Sequence, residues 1–122
     1  MITDAFVTIA TVNFDLVVDF YTQFLRSQPQ PYLSGGYAEF SIAGLRLGIF
    51  APKVSNRREF SQPSQSGMSI CLEVEDLDRA IDLLAHIGYP PPGEITIASH
   101  GREIYAYDPD GNRLILHQNP IG

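Results

Sequence analysis

From Phe6 to Thr11 the chain is apolar but for Thr8 and Thr11. Val7, Ile9 and Thr11 share one parity and Phe6, Thr8 and Ala10 the other, which predicts a strand over residues 3–12. The period then lengthens: Leu16, Phe20 and Phe24 recur at helical spacing. Asn13 is placed to cap that helix by accepting backbone N–H bonds, Asp15 favours the positive end of its dipole, and Pro29 puts its end near Ser27. Tyr32 begins three short strands, broken at Gly35-Gly36 and at Ala43-Gly44. Residues 51–66 lose all periodicity and read as a linker rich in Pro, Ser, Asn and Gln.

The same order then returns. Ser69 to Val74 reads as a strand, Asp76 to His86 as a capped helix ended by Gly88, and 94–98 as a strand after the Pro-rich Tyr89 to Pro92. Ser99-His100-Gly101 turns into a strand at 102–107. Asp108-Pro109-Asp110-Gly111 is a strong turn signal, because proline presets one φ and glycine takes a positive one. A strand at 112–118 follows. Asn13 to Phe20 aligns with Asp76 to Leu83 at a spacing of 63 residues, and Gly44-Leu45-Arg46-Leu47 aligns with Gly111-Asn112-Arg113-Leu114. Two copies are too few for a solenoid. The expectation is therefore one α+β domain of two paired βαβββ modules, residues 1–50 and 67–122.

Strand parity points to a site. Ile70, Leu72 and Val74 make an apolar face for the helix, and Ser69, Cys71 and Glu73 make the opposite one. Leu45, Leu47 and Ile49 likewise oppose Arg46, Gly48 and Phe50, while Leu114 and Leu116 oppose Arg113, Ile115 and His117. The second face mixes polar, aromatic and charged residues, as a ligand cleft does.

Composition narrows the partners. A net charge of -6 disfavours nucleic acid and anionic membranes. No apolar run is long enough to span a bilayer, and Met1 to Asp4 carries no secretory signal pattern. Cys71 is the single cysteine, so no intramolecular disulfide is available. That suits the cytoplasm, with Cys71 expected as a small buried residue.

The strand followed by an Asp-led helix, Phe20-Tyr21 late in the first helix, and Tyr105-Ala106-Tyr107-Asp108-Pro109-Asp110-Gly111-Asn112-Arg113-Leu114 resemble the vicinal oxygen chelate superfamily. This group includes glyoxalase I, extradiol dioxygenases and bleomycin-resistance proteins. The resemblance covers essentially the whole chain and implies that the paired modules form a cupped mixed sheet and that the protein is a homodimer. Its metal-dependent members hold a divalent ion with four side chains from the first and last strands of each module. Those positions fall here on Phe6, Gly48, Ser69 and Ile115, a set without usable donors apart from one neutral hydroxyl. This departure from the family pattern leaves no metal expected at that place, and no other cofactor is expected.

The same strands leave a candidate ligand set. Phe6, Thr8 and Phe50 would wall the cleft, Ile115 would floor it, and Gly48 would leave room for a ligand, with Ser69, Cys71 and Tyr105 alongside. Arg46 and Arg113 are candidate anion anchors, or else solvated strand charges. Glu73 reads either as the partner of a neighbouring arginine or, unpaired, as a general base. His86 and His100 read as surface residues, whereas His117 has cleft-side parity. No P-loop, dinucleotide fingerprint or spaced nucleophile–base pair is visible. The leading expectation is metal-independent binding of a small aromatic or anionic molecule. A glyoxalase-type lyase or isomerase, or a dioxygenase, with displaced metal ligands and with Glu73 and His117 as catalytic candidates is the alternative. A structural or interaction subunit is the third reading.

Overall fold

The computed structural model describes residues 1–120. It contains two compact units, Met1–Gln62 and the remainder from Pro63. Each carries a four-stranded mixed sheet and an α-helix, so the chain is α+β as expected.

In the first unit, β1 (Val7–Ala10) pairs in parallel with β4 (Leu45–Phe50), which pairs antiparallel with β3 (Tyr37–Ile42), and the two-residue β2 (Tyr32–Leu33) closes the order β1-β4-β3-β2. Helix α1 (Phe14–Leu25) crosses β4. It turns Phe14, Val17, Val18, Tyr21 and Phe24 inward at spacings of three and four. Tyr21 packs against Phe40 with ring centres 6.2 Å apart, and Val17, Phe40, Leu47 and Ile49 are fully buried. Truncating Leu47 to alanine there costs about 2–5 kcal/mol, since the void is not refilled. The helix stops at Arg26, which takes the left-handed conformation and returns its N–H to the Thr22 carbonyl.

Two expectations fail in this unit. The first strand is shorter than residues 3–12: its ladder runs only from Val7 to Ala10 opposite Leu47 to Phe50. Upstream, the Asp4 carboxylate takes the Ala5 N–H at 2.9 Å, a local bond that competes with a strand ladder. Asn13 occupies the N-cap position without a side-chain capping bond. The entry is ordered instead by Thr11 Oγ1, which accepts the Asn13 N–H at 2.9 Å.

The second unit repeats the plan in the order β5-β8-β7-β6, with β5 Ile70–Glu73, β6 Thr96–Ala98, β7 Gly101–Tyr107 and β8 Arg113–Gln118. The repeat is visible in register: Val7 pairs with Leu47 and Ile70 with Leu114. Helix α2 (Leu77–His86) starts on Asp76, whose carboxylate accepts the Arg79 N–H at 3.2 Å. Its end folds back through Gly88, at φ 100°, so that the Tyr89 N–H reaches the Leu84 carbonyl at 2.8 Å. Leu77 and Leu84 then meet Leu114 and Leu116 in a fully buried core. The linker is not shapeless: Val54–Phe60 and Pro63–Gln65 are short 3₁₀ helices, and the boundary between the units falls between them. Among the described residues no helix is long and apolar enough to cross a membrane.

Candidate functional site

On the first sheet, the face away from α1 is a charge network. Arg46 donates to both Asp4 carboxylate oxygens at 2.7 and 2.8 Å and to Glu39 Oε2 at 3.0 Å. Its guanidinium lies over the Phe6 ring, 4.6 Å from the centroid. The Tyr37 hydroxyl completes the chain by donating to Glu39 Oε1 at 2.7 Å. The Arg46 guanidinium holds the Glu39 and Asp4 carboxyls below their ordinary values, and those bonds raise its own. Burial, and then the bond to Glu39, pushes the Tyr37 phenol above 10.0.

This network revises two assignments. Arg46 is not open to an anionic ligand, because two carboxylates already neutralise it. The space above Gly48 belongs to Tyr37: a Cβ on residue 48 would stand 2.7 Å from Tyr37 Oη and 3.0 Å from its ring. Phe50 meets Phe60 edge-on at 5.7 Å, so the linker covers that wall. Thr8 stays exposed beside Gly48.

The second sheet gathers the chemistry. Across one row, Glu73 pairs with His117, and His117 with Glu103 and then Thr96 across β7 and β6. Glu73 Oε1 takes a hydrogen bond from His117 Nδ1, so the partner of Glu73 is a histidine and not an arginine. Ring nitrogens of His117 and His100 meet at 3.0 Å, which makes His100 part of the row and not a solitary surface residue. The next row is Cys71, Ile115 and Tyr105. Cys71 is exposed, contrary to the expectation of burial: its parity faces it away from α2, as Ile70 and Leu72 face toward it. Arg113 has neutral partners instead of carboxylates, donating to Ser69 Oγ at 2.6 Å and to the Ser66 carbonyl at 3.0 Å.

Beside these rows lies a cavity of about 500 Å³, lined by Pro92, Gly93, Glu94, Thr96, Glu103, Ile104, Tyr105 and Tyr107. This volume lies within the range of small-molecule sites. Tyr105, half exposed, shares its face with Tyr107 and Glu103 through β-strand alternation. Tyr107 leads directly into the Asp108 turn. The buried Asp108 carboxylate takes the Asp110 and Asn112 N–H groups, each at 2.9 Å, and the Asn112 side-chain amide at 2.8 Å.

The four positions where the resemblance puts a metal do not fit one. The Phe6 ring is under Arg46, Gly48 is under Tyr37, the Ser69 hydroxyl accepts from Arg113, and Ile115 has no donor. Parity on β3 and β7 held the signal for Tyr37, Glu39 and Glu103, while Tyr107 was legible beside Tyr105 from their shared strand face. Glu94 and Pro92, on a loop, and His100, in a turn, gave none.

A family model, Glyoxalase/Bleomycin resistance protein/Dioxygenase superfamily, matches residues 5–116. No curated protein matches the chain. Among solved structures, the chain is 22% identical to a bleomycin resistance determinant encoded on transposon Tn5, covering 98% of this chain and 100% of that one at a TM-score of 0.68. The fosfomycin resistance protein FosX of Listeria monocytogenes, complexed with Mn(II) and sulfate, is 22% identical with coverages of 99% and 94% and a TM-score of 0.74. A glyoxalase/bleomycin resistance protein of Catenulispora acidiphila is 21% identical with coverages of 96% and 98% and a TM-score of 0.71. At these identities the likeness is one of fold.

Proposed function

The chain belongs to the glyoxalase/bleomycin resistance protein/dioxygenase superfamily, and on that premise we propose that it binds a small aromatic molecule without a metal, in the cavity of its second module. The observation that carries this reading is the cavity lining: two tyrosine rings, Tyr105 and Tyr107, with two carboxylates, Glu94 and Glu103. Rings of this kind stack on a planar ligand, and the carboxylates favour one that also carries a positive amine. Of the arginines that would recruit an anion, Arg46 is neutralised by two carboxylates and Arg113 is held by Ser69 and the Ser66 carbonyl. Of the two ligand classes read from the sequence, aromatic is therefore supported over anionic. We take the protein to act in the cytoplasm as a homodimer, by analogy with small family members and from its single cysteine.

The test is a thermal-shift and tyrosine-fluorescence screen of bicyclic aromatic amines against matched aromatic carboxylates. Saturable binding of the amines is expected. Tyr105→Ala should weaken it about 5–30-fold, the loss of about 1–2 kcal/mol of ring contact. Preference for the carboxylates, or an unchanged Tyr105→Ala, would overturn the reading.

A second reading, a lyase or isomerase, rests on one observation, the Glu73–His117 pair, because a carboxylate that orients an imidazole is general-base architecture. It requires that Glu73→Gln fold normally and lose turnover.

A further inference from the structure

His100 and His117 stand nitrogen to nitrogen, Nδ1 to Nε2 at 3.0 Å, with ring centres 5.2 Å apart and planes 19° from parallel. That separation of centres is about the nitrogen gap plus two ring radii, so the rings meet edge to edge and not face to face. Glu73 takes the other nitrogen of His117. A carboxylate accepting there keeps the hydrogen on Nδ1 and leaves the Nε2 lone pair directed toward His100.

The arrangement is built by the fold. His100 occupies a two-residue hairpin loop between the paired Ala98 and Gly101. Gly101 has φ 129°, and a Cβ on it would collide with the Gln118 carbonyl oxygen and approach His117 Nε2 at 3.0 Å. Only glycine allows the loop so close to β8, and that approach is what sets His100 against His117. Across the β7–β8 pair, Glu103 stands opposite His117 and adds a second carboxylate to the neighbourhood.

Two imidazoles on a tetrahedral ion, with bonds of about 2.0–2.1 Å, place their nitrogens about 3.3 Å apart and their ring centres about 5.2 Å apart. The ring centres here already have that separation. Pivoting the rings, of which His100 is exposed, would open the nitrogen gap by about 0.3 Å and turn both lone pairs onto one point. We propose that His100 Nδ1 and His117 Nε2 form a two-imidazole site for a late divalent transition ion, Zn(II), Ni(II) or Cu(II), with Glu73 as the carboxylate that orients His117 from behind.

Imidazole donors suit these ions, and a carboxylate behind a ligating histidine fixes its tautomer and raises its basicity. Among the described residues no three His, Cys, Asp or Glu side chains form a ready metal group, so solvent completes the coordination. The site uses none of Phe6, Gly48, Ser69 or Ile115, and it stands independently of what occupies the cavity.

Titration calorimetry of the tag-free chain with Zn(II) and Ni(II) alone tests it. One ion per chain is expected, with Mg(II) giving no heat. His100→Ala, a change at an exposed loop residue, should weaken binding tenfold or more, and His117→Ala should do the same. Glu73→Gln should weaken it about 10–100-fold, as loss of an orienting carboxylate does. Cys71→Ser and His86→Ala should bind like the parent. Absence of binding, or binding that survives His100→Ala and is lost in Cys71→Ser, overturns the proposal.

Discussion

Asp108 is the place where a single side chain holds the two strands of the candidate site in register. Its carboxylate is 3% exposed and accepts three hydrogen bonds, two from the Asp110 and Asn112 backbone and one from the Asn112 amide. The backbone turn beneath carries the Gly111 N–H to the Asp108 carbonyl at 2.9 Å and the Asp108 N–H to the Asn112 carbonyl at 3.1 Å. Hydrogen bonds to a charged acceptor contribute about 1.5–3 kcal/mol each when buried. The donors here belong to half-buried residues, so water replaces part of that in a truncated variant. Asp108→Ala should therefore cost about 3 kcal/mol in all, rather than the roughly 1.5- to three-fold larger sum of the separate bonds. Asp108→Asn keeps an acceptor for the backbone and sets one amide against another at Asn112, so its cost should be about 1–1.5 kcal/mol. Equilibrium urea unfolding reads both differences. The chain has no tryptophan and six tyrosines, so tyrosine fluorescence with circular dichroism is the signal. An Asp108→Ala loss below about 1 kcal/mol would refute the reasoning, as would an Asp108→Asn loss equal to it.

Two further outcomes concern the first module. The Glu39 carboxyl is held below its ordinary 4.5 by Arg46 first and Tyr37 second. The stability it contributes is present above pH 4.5 and is lost as pH falls from there through the depressed value. Carboxyl NMR titration should find the Glu39 midpoint below 4.5 and see it rise in Arg46→Gln; equal midpoints would contradict the network. Gly48→Ala places a Cβ 2.7 Å from Tyr37 Oη and must push the ring off Glu39. The variant should lose about 1–3 kcal/mol of stability, as overpacked sites do. Ultraviolet titration should show the Tyr37 phenol falling back toward 10.0, and no change in either would mean the ring is not seated there.

How much of the site was legible follows from the range of each interaction. Parity separated Glu73, Arg113, Ile115 and His117 from the helix face, because a strand alternates whatever its neighbours are. It did not reveal that Arg46 and Arg113 were spent. Their partners Asp4, Glu39 and Ser69 lie 42, 7 and 44 residues away, and a pairing across strands leaves no local mark. Gly48 illustrates the same limit: its lack of a side chain was readable, but which group fills the vacancy depended on Tyr37 of the adjacent strand.

The sequence by itself determined the plan: the βαβββ order repeated, the helix capped by Asp76, the Asp108 turn, and the inward and outward faces of the strands. These are set by periodicity, by the few residues that suit caps and turns, and by local hydrogen bonds, all of which act within a handful of residues. Tertiary structure alone decided which polar groups are neutralised, where the cavity lies, and that a loop histidine meets His117. Those outcomes need strands distant in sequence to be brought within about 5 Å in one register, and only the folded chain supplies that register.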